Sequence, residues 1–226
     1  MKHARTAGQF WFFAGGKLMK RKFFVGVCAV FMAVYAAAQS VTFDLVCENL
    51  AKHPNMTGNF TQVKTIKAVN RSLKSNGTFI FSLEGIMWKT EKPFPSSLAV
   101  GMTTVIQTKA DGTQTVIDAS SNQIFTSIST TLSSMFSGNA EGLSENFNVS
   151  FSSSGNLWTA VLTPKDSVVA AVLTSLSVSG TATASFAELD SIVMTEASGD
   201  TITYSFTDQK YPKELTADEK ACFTAK

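Results

Sequence analysis

The sequence predicts a mainly β fold with helices (α+β): one large, strongly curved antiparallel sheet with an N-terminal helix and helical inserts near its centre. Three observations carry this reading. Short runs of alternating apolar and polar residues recur from residue 56 onward. Turn signals such as Glu84-Gly85, Asp111-Gly112 and Ser198-Gly199-Asp200 separate the runs, as in an antiparallel meander. Between residues 122 and 136 the apolar spacing changes to that of a helix. A sheet of ~10 strands tends to curl or close, which leaves a concave face to be covered, and apolar inserted helices are the natural cover.

The first helix is expected over residues 41–52, where Val41, Leu45, Leu50 and Ala51 share helical spacing, Asp44 and Glu48 lie toward the start and Pro54-Asn55 stops it. Strands follow over 56–68, 73–82 and 86–90. Lys92-Pro93-Phe94-Pro95 breaks the third, and strands resume over 97–100, 103–109 and 114–118. Ile124, Phe125, Ile128, Leu132, Met135 and Phe136 form one helical face ending at Gly138, and Leu143 with Phe147 marks a second short helix or turn. Further strands are predicted over 147–152, 157–163, 175–180, 184–195 and 201–207. Asp166 caps a short helix over 167–173, and the polar tail carries a last helix around 217–223.

The N-terminus reads as an export signal. Met19-Lys20-Arg21-Lys22 is a basic start, residues 23–34 are an apolar run, and Tyr35-Ala36-Ala37-Ala38-Gln39 presents small residues where a signal peptidase reads. The run is short for a membrane span of ~20 residues. Residues 1–38 are therefore taken as an N-terminal extension plus signal peptide cleaved after Ala38, with Met19 a better start than Met1, and residues 39–226 as a single domain. Of the 19 basic residues, six lie in the first 38, so the remainder has 13 basic residues against 17 acidic ones. That balance gives no electrostatic footprint for nucleic acid.

Few residues suit catalysis. One histidine, His53, follows the signal; it sits at the end of the first helix, where a surface position is favoured by the helix dipole. A zinc site needs more His or Cys ligands than are at hand, and no G-x-S-x-G surrounds any serine. Glu84, Asp111 and Asp118 sit at turns or strand ends, where carboxylates are ordinarily solvated. No enzyme activity and no cofactor are expected. Cys47 and Cys222 lie near the two ends of the exported chain, and an oxidising compartment allows either a disulfide or two separate thiols.

Three segments carry a resemblance. They are Gly58-Asn59-Phe60-Thr61-Gln62-Val63-Lys64, then Arg71 through Gly77-Thr78-Phe79, then Gly85-Ile86-Met87-Trp88-Lys89 through Pro93-Phe94-Pro95. Their order of F-x-Q, G-x-F, G-x-x-W and a proline-bearing turn resembles the outer-membrane lipoprotein carrier family, the LolA type. Val161-Leu162-Thr163-Pro164-Lys165 is similar to that family's later L-x-P-K turn. The resemblance implies an incomplete β-barrel, open on one side and covered by short lid helices. It implies a monomeric periplasmic carrier whose hydrophobic cavity takes the acyl chains of a lipoprotein or related lipid. An inner-membrane transporter would be the donor and an outer-membrane protein the acceptor.

One departure stands out. General lipoprotein carriers place an arginine just before the turn leading to the Trp strand, where it ties the lid shut. Here the residues are Ser82-Leu83-Glu84, and no arginine follows Arg71. The turn at 90–95 is closer to relatives associated with other lipid exporters, so glycolipids and other acyl-bearing molecules belong among the expected cargoes.

The lipid-binding residues expected on this basis are Phe60, Phe79, Phe81, Met87 and Trp88 from the sheet, with Ile124, Phe125, Ile128, Leu132, Met135 and Phe136 from the lid. Aromatic and methionine side chains offer area and adaptability to a hydrocarbon chain. The residues alone leave a second reading open, an exported β-sandwich for binding or adhesion in which the same side chains fill a solid core.

Overall fold

The computed structural model describes residues 41–101, 103–118 and 123–225, and within them all side chains but those of residues 123–126, 128, 129 and 132. The signal-like segment lies outside the described residues. So do the side chains of Ile124, Phe125, Ile128 and Leu132.

The chain opens with α1 (Phe43–Ala51). Thr42 caps it by accepting the Leu45 N–H at 3.2 Å, and Asp44 sits in the first turn, where a carboxylate suits the helix dipole. Val46, Cys47 and Leu50 are buried on one face. Asn49 is buried with them and is satisfied: its amide donates to the Thr183 carbonyl at 3.1 Å and its oxygen accepts from Lys52 Nζ at 2.6 Å.

Six antiparallel strands follow in a meander: β1 (Asn55–Ile66), β2 (Arg71–Ser82), β3 (Gly85–Lys92), β4 (Ser96–Gly101), β5 (Thr104–Thr108) and β6 (Gln114–Asp118). The chain then forms α2 (Gln123–Phe136) and α3 (Ala140–Asn146). Asn139 caps α3 by accepting the Gly142 N–H. Strands β7 (Phe147–Ser154) and β8 (Leu157–Pro164) lead to α4 (Ser167–Ala170), whose N-cap is Asp166, as the sequence predicts. Strands β9 (Leu173–Ala182), β10 (Ala187–Glu196) and β11 (Thr201–Lys210) complete the sheet, and α5 (Ala217–Ala221) starts with a Thr216–Glu219 capping box.

All eleven strands form one sheet in the order β6-β5-β4-β3-β2-β1-β11-β10-β9-β8-β7, and every neighbouring pair is antiparallel. The sheet is not closed. Its two edges, β6 and β7, are consecutive in the chain, so the α2–α3 segment has to pass from one edge to the other. Topology thus makes the insert a cover, and α2 packs against β2, β3, β4, α1 and α3.

Curvature is visible in the ring contacts. Trp88 on β3 and Tyr204 on β11 are separated by β2 and β1, which in a flat sheet places their strands ~14 Å apart. Their ring centroids are 5.8 Å apart. Two glycines permit the tight passages. A Cβ on Gly77 would stand 1.9 Å from the Lys89 carbonyl oxygen, and Gly85, at φ 147°, would place one 2.3 Å from that of Val100.

Strand alternation divides the core by face. The inner face carries Phe60, Phe79, Phe81, Ile86, Trp158, Leu162, Leu176 and Phe206 in one cluster with α1, α2 and α3. The outer face of β2–β5 carries Ile80, Met87, Ala99 and Ile106, covered by Leu215, Cys222 and Phe223 of the C-terminal segment.

Cys47 and Cys222 belong to these different clusters and form no disulfide with each other. Burial first, and the neighbouring Asp44 charge second, push the Cys47 thiol up to about 12. His53 is not simply on the surface: its ring packs 4.6 Å from that of Tyr211 and 5.8 Å from that of Phe186. In a chain starting at Gln39, one thiol, Cys222, should react with an aromatic disulfide reagent in the folded state and both should react in denaturant. A thermal midpoint lowered by reductant would contradict this arrangement.

Candidate functional site

The inner face is filled unevenly along the strands. At the end where α1 enters, aromatic rings interlock. Phe79 lies 4.8 Å from both Phe81 and Phe206, centroid to centroid, and Phe81 lies 5.7 Å from Phe136 of α2. Phe60 and Met135 are buried in the same cluster. This end is a packed core, and truncating Phe79 there should cost ~3–5 kcal/mol.

Toward the other end the filling stops. A cavity of about 240 Å³ lies between β3–β6 on one side and β10–β11 on the other, with Gln62 of β1 in its lining. Its apolar walls are Leu98, Val100, Val105 and Ile117 on one side and Ile192 and Met194 on the other, with Trp88 and Tyr204 between them. These positions alternate along each strand and pair across it: Trp88 with Leu98, Val100 with Val105, Val105 with Ile117, and Ile192 with Tyr204. They therefore share the inner face with the aromatic core and continue it without filling it.

The lining is electrically neutral. Tyr204 is the one titratable group among its described residues. Burial pushes its phenol up to about 12, so it stays protonated and can donate a hydrogen bond. The Trp88 indole Nε1 is buried and has no hydrogen-bond partner among the described residues. Gln62 accepts from Ser75 Oγ at 3.2 Å. A site of this composition favours a hydrocarbon chain with at most a few neutral acceptors.

Of the expected lipid-binding residues, Trp88 lines this cavity. Phe60, Phe79, Phe81, Met135 and Phe136 are brought together, but as the interlocked core beside it. Met87 does not line the cavity: it pairs with Ile80 and Ala99 and faces the outer surface beneath Leu215. The two-residue period puts neighbours of Trp88 on the opposite face. The walls that sequence reasoning missed, Leu98, Val105, Ile117, Ile192 and Met194, lie on strands that were predicted, at positions of inner-face parity. No arginine latch is present at the β2–β3 turn. Ser82 closes it locally, donating to the Gly85 carbonyl and accepting the Glu84 N–H, each at 3.2 Å.

A family model described as outer membrane lipoprotein carrier protein LolA matches residues 51–222, which takes in every strand of the sheet. The chain belongs to the LolA family. No curated protein sequence matches it. Among solved structures, a LolA superfamily protein from Nitrosomonas europaea is 11% identical, with a TM-score of 0.44, covering 82% of this chain and 99% of that one. An outer membrane lipoprotein-sorting protein domain from Vibrio parahaemolyticus is 10% identical, with a TM-score of 0.45 over 79% of this chain and 95% of that one. A DUF1329 family protein from Desulfovibrio piger is 8% identical, with a TM-score of 0.46 over 80% and 95%.

The tyrosines of this LolA-family chain give a pH test. Tyr204 and Tyr211 are the two that follow residue 38, and burial raises both above the ordinary value of 10.0, helped at Tyr211 by the charges of Glu188 and Asp190. Raised folded-state values mean that their contribution to stability is whole below pH 10 and is lost as pH climbs toward 12. Phenolate absorbance should stay low at pH 10 and rise together with unfolding. A titration with its midpoint near 10 in the folded protein would show the rings to be solvated.

Proposed function

We propose that this LolA-family chain is a periplasmic carrier that holds an acyl chain of a lipoprotein or related lipid in the cavity bounded by Trp88, Leu98, Ile192 and Met194, and ferries it from the inner to the outer membrane. The observation that carries the reading is the neutral, apolar, unfilled part of an otherwise tightly packed inner face. The apolar gap of about 240 Å³ is a cleft with room for a hydrocarbon segment.

Its size bears on the load. The gap equals roughly eight waters at ~30 Å³ each, so it takes one chain segment rather than a whole multi-chain anchor. Burial supplies ~0.8 kcal/mol per methylene, and a short segment gives a reversible hold, which suits a carrier that must release. A larger load requires the walls carried by β3–β6 and by β10–β11 to move apart. The export signal at residues 19–39 supports a periplasmic location. A neutral lining supports binding rather than catalysis.

A fluorescent fatty-acyl probe tests the assignment, using the chain from Gln39. Residues 38–226 form one compact unit. Saturable binding is expected, weakened by at least about tenfold in Leu98→Trp or Met194→Trp, each of which fills the gap with a bulkier side chain. Met87→Ala, on the outer face, should leave binding unchanged while lowering stability by ~2–4 kcal/mol. A folded protein that never binds the probe, or binds it equally in the filled variants, would overturn the proposal.

A further inference from the structure

The cavity end of the sheet is also where exposed apolar side chains gather. Eight large apolar side chains are exposed among the described residues, and five of them sit on the turns at this end: Val69, Leu73, Phe94, Val168 and Val172. Phe94, 81% exposed, projects from the β3–β4 turn. Val69 and Leu73 lie in and just after the β1–β2 turn, and Val168 and Val172 in and after α4. Of the other three, Leu83 and Leu157 are at the opposite end and Val116 is on edge strand β6.

The turns form one rim. Asp200, in the β10–β11 turn, accepts the Lys67 N–H at 3.0 Å, tying that turn to β1–β2. Ala197, at its other side, donates to the Val172 carbonyl at 2.8 Å. The cavity extends to the same rim: its lining includes Thr90 and Ser96, the paired residues that flank the Phe94 turn.

One part of the rim is basic. Lys67, Arg71, Lys74, Lys92 and Lys109 are exposed on or beside the β1–β2, β3–β4 and β5–β6 turns. Two acids share these turns, Glu91 and Asp111. The end of β10, its turn to β11 and the α4 connection carry three acids, Glu196, Asp200 and Asp166, and one base, Lys165. Glu196 is paired with Lys64, Asp200 accepts the Lys67 N–H and Asp166 caps α4, so these three acids are engaged locally. The chain after residue 38 is acidic as a whole, so positive charge is concentrated on the β1–β2, β3–β4 and β5–β6 turns against the average.

We infer that this rim docks the protein on an anionic lipid surface, with Phe94 and the β1–β2 turn entering the headgroup layer and the basic residues resting on lipid phosphates. Apolar side chains flanked by Lys and Arg are the signature of interfacial binding. Here they are spread over three separate connections, Phe94 alone and the others in pairs, a spacing that suits a fluid surface better than one flat protein patch. Docking would bring the cavity mouth to the lipid plane. The inference concerns the rim and is independent of what fills the cavity.

Sedimentation of the chain from Gln39 with lipid vesicles tests it. Vesicles containing about a third phosphatidylglycerol should bind several-fold more tightly than pure phosphatidylcholine, and raised salt should reduce the difference. Phe94→Ser should weaken binding by roughly tenfold, as should Lys67→Glu combined with Arg71→Glu, while Leu83→Ser at the far end leaves it unchanged. Acyl-probe binding in solution should persist in Phe94→Ser, which separates the rim from the cavity. Equal binding by Phe94→Ser and the parent, indifference to lipid charge, or no vesicle binding by the folded protein would each overturn the inference; the last would mark the rim as a surface for a protein.

Discussion

A single sheet with one continuous apolar face must bury that face against something, and here it does so largely by curling upon itself. Everything else follows from how far the curl is filled. Rings on β2, β3 and β11 meet across intervening strands, as in the 5.4 Å contact of Phe81 with Phe206. They hold the two halves of the sheet together at one end. Their size sets the separation of the walls, and the same separation continues down the strands to where Gln62, Thr90 and Leu98 replace phenylalanines. The cavity is thus the continuation of the core by smaller side chains.

This arrangement divides rigidity from function. The interlocked end, with α1 and the buried Asn49 contacts, fixes the barrel's shape. The open end keeps space that a solid sandwich would have closed. Its neutral lining suits hydrocarbon held by exclusion from water rather than by charge, and under the proposed function such a hold would tolerate variation in the cargo's head group. The helical cover arises from connectivity: the two sheet edges are consecutive strands, and the chain between them has to cross the opening.

Much of this was legible in the residues. Period-two runs and turn dipeptides located the strands, with β6 at Gln114–Asp118 as expected, and Asp166 marked the cap of α4. The ordered F-x-Q, G-x-F and G-x-x-W segments pointed to the family. The site was less legible for a physical reason. Alternation reports which face a side chain joins, but not how far along the strand the covering elements fill the curl. Phe60, Phe79 and Phe81 therefore resemble cavity residues in sequence while serving as core. Leu98, Ile192 and Met194 are unremarkable in sequence and become walls because the strands that carry them face one another across the curl. Met87 shows the parity constraint from the other side, one residue from Trp88 and on the opposite surface.

The most direct test uses Trp88 itself. Trp88 and Trp158 are the two tryptophans after residue 38, so in the chain from Gln39 Trp158→Phe leaves one reporter in the cavity wall. Fatty acids carrying a nitroxide along the chain should quench its fluorescence saturably and at one equivalent, well beyond the quenching by a free nitroxide at the same concentration. Quenching that rises linearly and matches the free nitroxide would place no hydrocarbon beside Trp88 and would contradict the account.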